Sequence, residues 1–103
     1  MPNHLEWLED WYQRQCDGAW EHNEGIRLES LRRPGWHLTI SLEGTSAEGA
    51  APNRMNFDST AGEWIDCTLA EGRFEGMGDP RRLEQIIGVF RKWVEEPGSN
   101  PEP

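Results

Sequence analysis

No apolar run in this 103-residue chain approaches the roughly 18 residues that a membrane-spanning helix needs. Basic charge is also scarce: 10 Lys and Arg stand against 19 Asp and Glu, for a formal charge of −9. Nucleic-acid recognition rests on a basic stripe that displaces counterions from phosphates, so neither a nucleic acid nor a membrane is an expected partner. Cysteine is sparse. Cys16 and Cys67 lie far apart, form no CxxC, and read as two reduced, largely buried thiols of a reducing compartment. Sequence alone leaves a disulfide between them open. Also missing are the phosphate-cradling GxxxxGK[ST], the dinucleotide GxGxxG, the zinc-binding HExxH and the nucleophile elbow GxSxG. The opening Met1-Pro2-Asn3-His4 carries neither a basic region nor an apolar signal core, which makes the cytoplasm the expected location.

Aromatic residues are plentiful. Six Trp, three Phe and one Tyr argue against disorder, because disordered chains lack the apolar surface that offsets ordering entropy. Each large aromatic buries about 150–250 Å², so these ten can carry much of a small core. The length suits one domain, expected over residues 1–96 and followed by a disordered polar tail over 97–103. Acidic excess is spread along the chain: residues 1–51 hold 4 basic and 9 acidic residues, residues 52–103 hold 6 and 10.

Periodicity gives the elements. From His4 to about Cys16, Leu5, Leu8, Tyr12 and Cys16 recur at helical spacing, and Trp7 and Trp11 widen the stripe. Asn3 is placed to cap this helix and Asp17-Gly18 to stop it. Residues 17–25 read as a turn. The period then becomes two, with Ile26 and Leu28 alternating with Arg27 and Glu29. After the turn at Arg33-Pro34-Gly35, Trp36, Leu38, Ile40 and Leu42 alternate with His37, Thr39 and Ser41. Gly44–Asn53 has no period and reads as a mobile loop. A weak strand over Arg54–Ser59, a firmer one over Glu63–Leu69 and a short one over Arg73–Glu75 follow. The last helix has Asp79 as cap and Pro80 in its first helical position, an apolar face of Leu83, Ile86, Ile87, Phe90, Trp93 and Val94, and a stop at Pro97-Gly98. Gly88 inside it marks a close approach to the sheet. Strands grouped between terminal helices define an α+β fold: an antiparallel sheet of four to five strands with both helices on one face and the other face wet. An exposed edge strand could pair two copies, so the expected state is a monomer or a weak homodimer.

Chemistry concentrates in Cys16-Asp17-Gly18-Ala19-Trp20-Glu21-His22. Thiol, carboxylate and imidazole can ligate zinc or form a nucleophilic pair, so a small enzyme or a metal-binding or small-molecule-binding domain built on Cys16, Glu21 and His22 is one reading. A capped helix end anchored by Trp20 is the other. No second ligand pair accompanies Cys67, His4 or His37, and His37 reads as a solvated strand residue. Trp20 fits either a core anchor or an exposed contact. A pocket lined by Trp between helices and sheet is a third possibility.

Several of these runs resemble a known family. Leu5-Glu6-Trp7-Leu8, Trp11-Tyr12, Cys16 through His22 and Gly25-Ile26 are similar to the opening of the immunity protein 53 family. Pro34-Gly35-Trp36 with its alternating strand resembles the second block, and Phe74-Glu75-Gly76 with the Leu83–Trp93 helix the ending. The resemblance covers roughly residues 5–94. It implies a cytoplasmic antidote in a bacterial polymorphic toxin system, with a cognate toxin as partner, no catalysis and no cofactor or metal. An acidic, aromatic-rich domain suits a basic toxin, and many nucleases are basic because they bind phosphate backbones. The charged, irregular segment Asp17, Trp20, Glu21, His22 and Glu24 is the expected toxin-binding face.

Overall fold

Asn3 starts the first helix: its side-chain oxygen accepts the Glu6 amide at 2.8 Å and so fills a donor that has no intrahelical partner. The structure, a computed structural model, describes residues 3–96; the tail over 97–103 and the Pro97-Gly98 stop lie outside the described residues. Helix α1 is His4–Gln15 and α2 Trp20–Asn23. Strands β1 (Ile26–Leu31), β2 (Gly35–Ser41), β3 (Asn53–Asp58), β4 (Trp64–Ala70) and β5 (Arg73–Gly78) follow, then helix α3 (Leu83–Glu95). The five strands form one antiparallel sheet in the order β1-β2-β5-β4-β3. The last strand in sequence lies at its centre.

Alternation decides the two faces. Leu38, Ile40, Ile65, Cys67, Leu69 and Phe74 point inward and are buried, whereas His37, Thr39, Thr68 and Glu75 point outward and are half-buried. Helix α3 packs on β5 and β4, with α1 alongside α3. The space between helices and sheet is filled by rings rather than hollow. Phe90 meets Phe74 and Trp11 at 5.0 Å and Trp7 at 5.9 Å, and Trp93 meets Phe74 at 5.8 Å. Such edge-on and tilted pairs add to simple area burial. Packing thus occupies the place of the Trp-lined pocket, the third of the readings above.

Four local expectations change. The buried stripe of α1 is Trp7, Leu8, Trp11 and Gln15, while Leu5 is 51% and Tyr12 38% exposed and Cys16 lies at the surface. Trp outweighs Leu and Tyr in apolar area, which turns the helix toward its Trp side. Gln15 is buried because its Oε1 accepts the Ser46 amide at 2.9 Å. That bond, with Thr45 Oγ1 donating to the Leu42 carbonyl at 2.7 Å, shapes the turns at the start of the expected loop, which runs up to β3 without helix or strand. The 17–25 turn contains the short α2. Asp79 caps a turn before α3, which begins only at Leu83, so Pro80 lies outside the helix. Gly88 faces α1 rather than the sheet: a Cβ there would stand 2.8 Å from His4 Nε2. The close approach of α3 to the sheet is at Gly76 and Gly78 on β5, where a Cβ would run into Ile86 Cγ2 and Arg82 Cβ respectively.

Candidate functional site

The segment between α1 and β1 is built by two carboxylates. Asp17 Oδ1 accepts the amides of Ala19 at 2.9 Å and Trp20 at 3.0 Å, and Glu21 accepts those of Asp17 at 2.8 Å and Gly18 at 2.7 Å. Each side chain thereby closes the turn started by the other, and Gly18 takes the φ of +95° that the reversal needs. The amides of Trp20 and Ala19 hold the Asp17 carboxyl below its ordinary range. Glu21 is lowered as well, by its own amide and by those of Asp17 and Gly18. Both groups are therefore anionic at neutral pH and fixed in direction.

Trp20 is buried, packed edge-on to Trp11 at 5.8 Å, with its Nε1 donating to the Ser41 carbonyl at 3.0 Å. It is the core anchor of the two readings, and it pins the segment to the end of β2. His22, Asn23 and Glu24 are exposed beyond it, and Gly25 at φ +65° leads into β1. On the α1 side, exposed Leu5 and Tyr12 share a stripe with Glu9 and Cys16. Five predicted site residues thus divide by role: Asp17, His22 and Glu24 present themselves to solvent, Glu21 is half-buried in the turn, and Trp20 lies beneath.

The Cys16/Glu21/His22 cluster does not converge. Cys16 Sγ donates to the Tyr12 carbonyl at 3.3 Å, and the Glu21 carboxylate is occupied by amides. Among the described residues no group of three or more His, Cys, Asp or Glu side chains could hold a metal ion. Cys67 is a separate, buried thiol, and burial with nearby Asp66 pushes its pKa up to about 12.

Sheet order brings together residues that the sequence scatters. Cross-strand partners place Arg27, Thr39, Glu75, Thr68 and Arg54 in one row of the open face, with Glu29, His37, Met77, Asp66 and Asn56 in the next. His37 Nε2 lies 3.3 Å from Glu75 Oε1 and 3.4 Å from Thr39 Oγ1. Around them is a shallow hollow of about 360 Å³, bounded by Glu24, Arg27, Glu29, Arg73 and Glu75. His37 is therefore half-buried and paired rather than freely solvated. Only the central place of β5 joins Glu75 to His37, and no local pattern announces it.

Fold and surface together define a small α+β protein whose polar groups are arranged in turns and on an open sheet face. The family model described as immunity protein 53 matches residues 5–95, and the chain belongs to that family. Membership implies an immunity protein, with a toxin as its partner. No curated protein and no solved structure matches it. Among the described residues no helix is long and apolar enough to cross a membrane.

Proposed function

We propose that this chain binds a cognate bacterial toxin domain in the cytoplasm and neutralises it by covering the toxin's active site. One observation supports the reading beyond family membership. Six acidic residues, Glu6, Glu9, Asp10, Asp17, Glu21 and Glu24, fall before residue 25 against Arg14 alone, and five of the six are exposed, Glu21 half so. On α1, Glu9 lies on one stripe between the exposed Leu5 and Tyr12, with Glu6 and Asp10 on the same helix. Apolar anchors within a charged rim are the usual anatomy of a protein interface. Negative potential on this scale steers a basic partner, such as a nuclease, toward the surface and raises the association rate. Asp17, His22 and Glu24 make the contact, while Trp20 and Glu21 hold their segment in shape. Inhibition by coverage requires no cofactor and breaks no bond.

The test uses carboxylates that the fold does not need. Glu9, Asp10 and Glu24 side chains take part in no hydrogen bond or ion pair among the described residues. Stopped-flow binding to the toxin domain encoded beside this chain's gene is compared for wild type and the triple variant Glu9→Lys, Asp10→Lys, Glu24→Lys. Association of the variant should slow at least about tenfold at low salt, with a flatter salt dependence and an unchanged melting temperature. Equal rates at every ionic strength would move the contact to another face. Failure of the wild-type chain to bind that toxin would overturn the reading.

A further inference from the structure

The sheet has two free edges, β1 and β3, and the register fixes which backbone groups each presents. Ser41 N donates to the Gly25 carbonyl at 3.2 Å, which makes Gly25–Ser41 a hydrogen-bonded pair. Alternation along an antiparallel ladder then makes Arg27–Thr39, Glu29–His37 and Leu31–Gly35 the bonded pairs of β1 with β2. The amides and carbonyls of Ile26, Leu28 and Ser30 consequently point away from the sheet. On the opposite edge Ser59 N donates to the Glu63 carbonyl at 2.8 Å, and the same alternation turns Arg54, Asn56 and Asp58 outward.

The two edges are not equally open. On β3 the outward Arg54 amide donates to Asn53 Oδ1 at 2.8 Å, and the Arg54 guanidinium lies 3.8 Å from Asp66 Oδ2. On β1, residues 27–30 are exposed, six register pairs run without a bulge, and no proline interrupts them. Among the described residues neither the outward amides of β1 nor the side chains of Arg27 and Glu29 have a hydrogen-bond or ion-pair partner. Leu28, on the helix side of this edge, is 49% exposed. Proteins usually blunt such an edge with a bulge, a proline or a cover. This one is bare.

We propose that β1 pairs with β1 of a second copy of this chain, antiparallel about a two-fold axis at Leu28, joining two five-stranded sheets into one. The strand is self-complementary in that register. Leu28 meets Leu28 of the other copy, Ile26 meets Ser30, and the outward groups of all three residues exchange both hydrogen bonds of each pair. Arg27 of each copy then stands opposite Glu29 of the other, at the non-bonded positions where side chains approach most closely. An isologous contact of this kind closes at two copies and does not propagate from β1. It is independent of any toxin contact.

Sedimentation equilibrium on the full chain, from micromolar to millimolar concentration, tests it. The mass should rise from 11.9 kDa toward twice that value. Arg27→Glu alone, or Glu29→Arg alone, sets like charges opposite each other at both positions and should weaken the dimer about tenfold. Mixing the two single variants in equal amounts restores opposite charges across the interface, so a heterodimer of wild-type strength should form. Leu28→Pro removes an outward donor without removing a bond within the sheet and should leave a monomer; circular dichroism confirms that each variant is folded. A wild-type chain that stays monomeric throughout the range would overturn the proposal. So would a dimer indifferent to the single reversals, or a mixture that fails to recover.

Discussion

Asp79 joins β4, the end of β5 and the start of α3 through one carboxylate. Its Oδ2 accepts the Trp64 amide at 2.8 Å and Arg82 Nε at 3.1 Å, and its Oδ1 accepts the Arg81 amide at 2.9 Å. Burial alone would raise its pKa; the amides of Trp64 and Arg81 and the Arg82 cation more than offset this and lower it. Asp79→Ala should destabilise the fold by about 2–3 kcal/mol, because the Trp64 amide loses its acceptor. A lower urea midpoint with an unchanged slope is the readout. The pH dependence has a definite sign. A depressed carboxyl pKa contributes stability in full above the ordinary value of 3.8 and loses it as pH falls through the lower folded value. Between about pH 5 and pH 2 the wild type should therefore lose more melting temperature than Asp79→Ala. The two thiols give a separate check. Cys16 is exposed and Cys67 buried with its pKa near 12, so a thiol reagent should titrate one group in the native protein and the second only in denaturant.

At the scale of elements, periodicity located nearly everything and misjudged the buried face of one helix. The β2 alternation is legible because one face is buried and the other wet, and the β4 run Ile65, Cys67 and Leu69 is legible for the same reason. Helix α1 shows the limit. Leu5, Leu8 and Tyr12 make as good a helical stripe as Trp7, Trp11 and Gln15, and only the aromatic neighbours supplied by α3 and α2 decide between them. Asp79-Pro80 is a sound helix-start signal locally, yet the carboxylate is drawn to the Trp64 amide, and the helix begins after the turn. The candidate segment was visible as a charged cluster. Its inner logic was not, because Asp17 and Glu21 read as solvated charges until their amide partners are in place. Close approach is legible only in part, since Gly88 signals one without saying against which element. Gly76→Ala would drive a methyl into Ile86 and Phe74 and should cost about 1–3 kcal/mol, measured as a loss of melting temperature with α3 lifted from β5.

Over the whole molecule, acidic charge is segregated in a way that the even count per half conceals. The acidic excess of the first 51 residues lies entirely before residue 25, since residues 25–51 hold three Arg and three Glu. The sheet's outer face, by contrast, mixes Arg27, Arg54 and Arg73 with Glu29, Glu75 and Asp66. Sequence arithmetic gives the sum of charges; only the tertiary arrangement gives the field. The central position of β5 has a further consequence for how the polypeptide is made. Until Arg73–Gly78 has left the ribosome, the nascent chain holds two hairpins with nothing to join them. Assembly of the sheet must wait for that late strand, so most of the protein is synthesised before its interior can close.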